Sequence, residues 1–185
     1  MDIEKVYNDL VKYIPADQVL MNESMKNHTS FRIGGPADIM VLPTNIKEVK
    51  SIIEVCRQNA IPFFVMGNGT NLLVKDEGIR GVVMKLAQNF NDANVNKNII
   101  RCKAGVPLSA LSRIALESSL SGLEFANGIP GTVGGAVVMN AGAYGGEMAD
   151  VVKKVTVIDM NGRLYEMQKE ELDYSYRRCI LQDGD

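Results

Sequence analysis

The feature that most constrains this 185-residue chain is the stretch 127–147, NGIPGTVGGAVVMNAGAYGGE, where seven glycines stand among small and apolar side chains with no Lys, Arg or Asp. Glycine lets the backbone approach a ligand closely and reach positive φ, and this density is foreign to a helix or strand interior. Successive main-chain N–H groups in tight turns form concavities that attract anions. A short helix starting near Thr132 would add its N-terminal N–H groups to the same field. With no cation in the stretch, a phosphate bound here would be held by backbone donors. The same composition also suits a tight structural crossing between strands, so the stretch alone leaves both readings open.

A second glycine loop lies upstream. Residues 37–42 read as a strand stopped by Pro43, and Thr44 as the N-cap of a helix that turns Ile46, Val49, Ile52, Ile53 and Cys56 inward. A strand over 61–66 follows, so 37–66 forms a βαβ-like unit with a parallel pair. Its end feeds Gly67-Asn68-Gly69-Thr70-Asn71 and then an apolar, strand-like run, Leu72-Leu73-Val74. Ligands of α/β folds gather at the carboxyl ends of strands. The loop is no dinucleotide fingerprint, because position 72 is leucine and no helix pattern follows. Taken alone it fits a phosphate loop or a plain tight turn.

Elsewhere the periodicity predicts a helix over 1–14, a turn-rich segment over 22–35 and a strand over 81–86. An asparagine-rich loop over 89–98 and a strand over 99–104 come next. A helix opens at Gly105-Val106-Pro107 and closes at Gly122. Asn161-Gly162 marks a hairpin between 151–160 and 163–167, followed by a helical turn over 168–173 and a strand from Tyr174 to Leu181. A net charge of −2 gives no reason to expect nucleic acid. No apolar run approaches a membrane span, and the N-terminus lacks a signal-peptide pattern. Three scattered cysteines and one histidine, His28, make neither a disulfide framework nor a metal site. These features predict a cytoplasmic, reduced protein in which Cys56 is a core residue.

Five motifs in order, TSFRIGGPAD over 29–38, GNGTNLLV over 67–74, GIPGTVGG over 128–135, NAGAYG over 140–145 and YSYR over 174–177, resemble the UDP-N-acetylenolpyruvoylglucosamine reductase family. These are bacterial flavoenzymes of peptidoglycan precursor synthesis. The resemblance implies an α+β, FAD-binding fold of the vanillyl-alcohol oxidase type, with two α/β subdomains around the flavin. It divides the chain into an N-terminal helix (1–20), a first FAD-binding subdomain (21–86) and a second (87–185). It also implies noncovalent FAD, NADPH as reductant and a UDP-sugar enolpyruvate as substrate.

Carried over by motif, Gly67, Asn68, Gly69, Thr70, Asn71 and Leu72 would hold the FAD pyrophosphate. Asn127, Gly128, Ile129, Pro130, Gly131, Thr132, Gly134, Gly135 and Ala136 would line pyrophosphate and flavin. Asn140, Gly142, Ala143 and Tyr144 would complete that wall. Arg177 matches the family's active-site arginine, where a fixed guanidinium would stabilise charge developing beside the substrate carboxylate. Cys179 stands where the family often has serine, and His28 reads as an ordinary residue. Family members run longer than this chain, so the expected product is the flavin-binding part, lacking the proton donor. Two alternatives stand beside the reductase: a module that binds FAD without turnover, and another oxidoreductase of the same fold group.

Overall fold

The computed structural model describes residues 2–87 and 89–183. The chain forms two compact units, Met1–Phe90 and Asn91–Asp185.

In the first unit, α1 (Ile3–Leu10) starts at Asp2, whose carboxylate accepts the Lys5 N–H at 3.0 Å. It is shorter than the pattern over 1–14 predicts. The Tyr13 and Ile14 N–H groups both turn back to the Leu10 carbonyl, and Ile14 still buries with Val6 and Leu10. A strand that the sequence pattern did not predict then appears and runs into the start of the turn-rich segment expected over 22–35: β1 (Val19–Ser24) pairs antiparallel with β2 (Pro36–Val41). It is an edge strand, and an edge tolerates polar side chains that hide the strand pattern.

The four-stranded sheet has the order β1-β2-β4-β3, in which β4 (Ile79–Lys85) pairs in parallel with both β2 and β3 (Phe63–Met66). The expected direct pairing inside 37–66 is therefore corrected: β4 lies between the two strands. Burial decides this, since 81–85 is buried throughout while β3 is half exposed. A strand buried on both faces belongs in the middle of a parallel sheet. A bulge at Asp38 shifts the register, so Ala37 and Met40 join one core cluster with Met25, Met66, Val74 and Val83. The buried Asp38 carboxylate holds the bulge by accepting the Gly81 N–H at 2.8 Å and pairing with Arg80. The run 72–74 forms no strand; only Val74 is buried, and Leu73 lies on the surface.

Between β2 and β3, α2 (Ile46–Gln58) is capped by Asn45, one residue later than predicted; its side chain accepts the Glu48 N–H at 3.1 Å. Thr44 instead donates its N–H to the Glu48 carboxylate at 2.6 Å. Ile46, in the first turn, points outward, whereas Val49, Ile52, Ile53, Val55 and Cys56 are buried. Burial pushes the Cys56 thiol up to about 12, which makes it a small apolar residue of the core.

The second unit opens with a hairpin, β5 (Ala93–Asn96) and β6 (Ile99–Cys102), so the asparagine-rich segment contributes a strand and not only a loop. Then α3 (Leu108–Glu117) follows Pro107, which occupies the N-cap, and ends well before Gly122, with Ser119 in the left-handed conformation. The helix expected at Thr132 is present as α4 (Val133–Val138). Two of the seven glycines lie inside it, contrary to the expectation for a helix interior. Close packing is the reason: a Cβ on Gly134 would sit 2.8 Å from the Ala104 Cβ.

A tight hairpin, β7 (Gly142–Ala143) and β8 (Gly146–Glu147), turns at Tyr144-Gly145 with both residues at positive φ. After α5 (Met148–Val151), β9 (Lys154–Ile158) and β10 (Leu164–Gln168) form the hairpin that Asn161-Gly162 predicts, with Gly162 at positive φ. The core of this unit packs Val106, Leu108, Leu111, Phe125, Val137 and Met148. The strand expected over 174–181 is absent; a tight turn and a 3₁₀ turn take its place. Among the described residues no helix is long and apolar enough to cross a membrane.

Candidate functional site

In the first unit, the chain leaves the carboxyl end of β3 directly into 67–72. Gly69 is buried at φ +64°, and its carbonyl accepts the Ser30 N–H at 3.2 Å. Among the described residues, the amides of Gly67, Asn68, Gly69, Asn71 and Leu72 meet no protein acceptor. A loop whose carbonyl is anchored while successive amides stay unused is chemically prepared for an anion.

In the second unit, the 127–136 segment divides. The Asn127 and Ile129 amides bond to the Glu124 and Ala126 carbonyls. Those of Val133 and Gly134 bond to the Val106 and Ala104 carbonyls, each at 2.8 Å. The helix start, expected to add its N–H groups to an anion's field, therefore has two of them, those of Val133 and Gly134, already bonded to carbonyls outside the helix. The amides of Gly128, Gly131, Thr132 and Gly135 meet no acceptor among the described residues. Gly128 and Gly135 are also exposed, as are Asn127 and Pro130, whereas Thr132 and Ala136 are buried and Ile129 is half-buried.

Asn140 is buried and lies at φ +40°. Its Nδ2 donates to the Ser175 carbonyl at 3.0 Å and its Oδ1 accepts the Ala149 N–H at 3.0 Å. The side chain is a brace between two segments. Asn140→Ala is expected to cost about 2–4 kcal/mol, because the buried Ala149 N–H loses its acceptor, the Ser175 carbonyl loses one of its two donors, and alanine must hold a left-handed backbone. Chemical denaturation reads this directly, and wild-type stability would contradict the brace.

That brace carries the Arg177 turn. Residues 175–178 close with the Ser175 N–H on the Arg178 carbonyl and the Arg178 N–H on the Ser175 carbonyl. Arg177 sits at φ +56°, at the third position of the turn, where glycine is usual. Its Nη2 donates to the Gly142 carbonyl at 3.2 Å, its guanidinium lies 5.7 Å from the Tyr176 ring centre, and its own carbonyl accepts the Gln182 amide at 3.1 Å. The guanidinium remains exposed, as does Tyr144 on the β7–β8 tip. Cys179 is buried beside this turn, and burial pushes its thiol up. The motifs over 140–145 and 174–177 are thus brought together; the residues reading as cofactor contacts in 67–72 belong to the other unit.

Sequence reasoning passed over Lys85 and Glu23 and read His28 as ordinary. The structure joins the three: His28 Nε2 lies 2.8 Å from a Glu23 carboxylate oxygen, and Lys85 Nζ lies 3.0 Å from His28 Nδ1. The signal available was a charged residue closing the apolar run of β4.

A mixed α/β chain with unused loop amides at the end of a parallel strand is the layout of a nucleotide-cofactor protein. Residues 37–168 match the FAD binding domain family, and the chain belongs to that family. Among curated proteins it is similar to the UDP-N-acetylenolpyruvoylglucosamine reductases of Alkaliphilus metalliredigens, 49% identical over 183 residues, and Alkaliphilus oremlandii, 51% identical over 182 residues. The matches cover 99% and 98% of this chain and 60% of each relative, so the chain spans about 60% of their length. Among solved structures, the UDP-N-acetylenolpyruvylglucosamine reductase of Thermus caldophilus superposes with TM-score 0.72 at 37% identity, over 87% of this chain and 55% of that one. p-Cresol methylhydroxylase shares the fold alone, with TM-score 0.69 at 17% identity over 93% of this chain and 36% of that one. The expected α+β flavoprotein fold is the observed one.

Proposed function

We propose that this chain holds FAD in an NADPH-dependent reductase that converts a UDP-N-acetylglucosamine enolpyruvate to UDP-N-acetylmuramate in the cytoplasm. The observation that carries the reading is that, among the described residues, the amides of Gly67, Asn68, Gly69, Asn71 and Leu72 in the first unit meet no acceptor, nor do those of Gly128, Gly131, Thr132 and Gly135 in the second. These donors fit a diphosphate and need no side-chain cation in either segment. When bound, the flavin supplies the hydride that reduces the enolpyruvyl double bond.

The chain's own residues do the rest. In the first unit the amides of Gly67, Asn68, Gly69, Asn71 and Leu72 would hold phosphate oxygens of the cofactor, and in the second unit those of Gly128, Gly131, Thr132 and Gly135 offer their own donors. Gly142, Ala143 and Tyr144 present the β7–β8 tip, and Gly142 also anchors Arg177 through its carbonyl. The Arg177 guanidinium grips the substrate carboxylate and stabilises negative charge as the double bond is reduced. Strain at Arg177 favours this role, because a non-glycine residue held at positive φ marks a site where position matters more than local stability.

Gly131 lies at φ +135° in the proposed phosphate segment. Gly131→Asp adds an anion and a disfavoured backbone, and it is expected to weaken FAD binding at least 100-fold in a flavin fluorescence titration. Undiminished affinity would remove 127–136 from the cofactor's contacts.

A further inference from the structure

β4 ends in a lysine that should not be there on burial grounds. Lys85 closes the central parallel strand, is 7% exposed, and stands opposite Met66, the residue after which 67–72 begins. Burial pulls its ammonium's pKa down, opposed by the Glu23 charge. Its one recorded partner among the described residues is His28 Nδ1. On the far side of the ring, Nε2 meets a carboxylate oxygen that can only accept, so Nε2 carries the proton and Nδ1 is left as acceptor for the lysine. Glu23, His28 and Lys85 thus form a polar chain running from β1 to the carboxyl end of β4.

The backbone of this chain's middle member touches the loop. The position a Gly69 Cβ would take is 2.1 Å from the His28 carbonyl oxygen, and the Ser30 N–H bonds to the Gly69 carbonyl. Wherever the ring pins His28, Gly69 and its neighbouring amides follow. The loop itself contains no charged side chain.

We infer that Glu23, His28 and Lys85 are positioning residues for the 67–72 loop, with Lys85 supplying the positive charge that favours a diphosphate there. The inference rests on the reading of that loop as a FAD contact. A buried ammonium with unused donors is costly unless something compensates it. An anion bound at the neighbouring amides would do so. Lys85→Met keeps the size and removes the charge. His28→Phe removes both ring hydrogen bonds, whereas His28→Gln keeps one acceptor and one donor.

The experiment titrates FAD into the purified protein and its variants by flavin fluorescence, and records the ring nitrogens of ¹⁵N-histidine-labelled protein, in which His28 is the single histidine. The expected spectrum shows a neutral ring protonated at Nε2 whose Nδ1 signal moves when FAD is added. Lys85→Met and His28→Phe should weaken FAD at least tenfold, while His28→Gln stays within threefold of wild type. Wild-type affinity in Lys85→Met, with Gly69→Ala failing to bind, overturns the positioning role and leaves the loop reading intact. Wild-type affinity in Gly69→Ala overturns both. A ring protonated at Nδ1 and bare at Nε2 overturns the chain itself.

Discussion

Gly69→Ala should abolish FAD binding while the protein still folds. The residue sits at φ +64°, where an alanine costs roughly 1–2 kcal/mol relative to its favoured conformations. Space is the harder limit. The added methyl would lie 2.1 Å from the His28 carbonyl oxygen and 2.9 Å from the Met66 Cε. The methionine end can swing away; the carbonyl belongs to the backbone and cannot. Either the 28–30 segment or the loop must move, and the Ser30–Gly69 hydrogen bond goes with it. Amides aligned for a diphosphate then point elsewhere. Losing two or three such donors corresponds to at least a 100-fold rise in Kd, or about 2.7 kcal/mol. A flavin fluorescence titration beside a thermal melt separates the two effects. Affinity within threefold of wild type would contradict the role given to the loop.

The second large effect falls on Arg177. In a protein of the full length of the curated relatives, Arg177→Gly should lower reduction of the enolpyruvyl substrate by about 10²–10³-fold, the usual scale for removing one preorganised charge-stabilising donor. Stability should change by no more than about 1 kcal/mol. Relief of the left-handed strain, about 1–2 kcal/mol, opposes the loss of the exposed bond to the Gly142 carbonyl and the contact with Tyr176. FAD affinity should be unchanged, since nothing in the proposed phosphate contacts depends on this side chain. Turnover near wild type would remove Arg177 from the chemistry. A stability loss of several kcal/mol would instead make it a structural residue.

Much of the fold was legible because its signals are local. The α4 start at Thr132, the Asn161-Gly162 hairpin and the buried face of α2 follow from caps, turn chemistry and 3.6-residue periodicity. Three misses share one cause, the dependence of strand pairing on distant partners. β1 is polar because it is an edge. β4 enters between β2 and β3 because its 81–85 run is buried throughout where β3 is half exposed, which no reading of 37–66 alone could reveal. The 174–181 run alternates like a strand, yet its residues close on themselves because Asn140 and Gln182 hold the turn.

The proposed site was legible by another route. Glycine density marks where backbone approaches backbone or ligand, and it cannot say which. At Gly134 the partner is Ala104; at Gly69 it is the His28 carbonyl. Which amides remain unused is a property of the folded chain. The Glu23–His28–Lys85 chain was hidden for the same reason, since its members are 57 residues apart at the widest hydrogen-bonded pair.

The most direct test is the flavin content and FAD affinity of the purified chain, read from its absorbance near 450 nm and from quenching of added FAD. Bound FAD in wild type, lost in both Gly69→Ala and Gly131→Asp with the fold intact, is the result expected if main-chain amides of the two segments grip the cofactor. FAD bound equally well by all three proteins would contradict it.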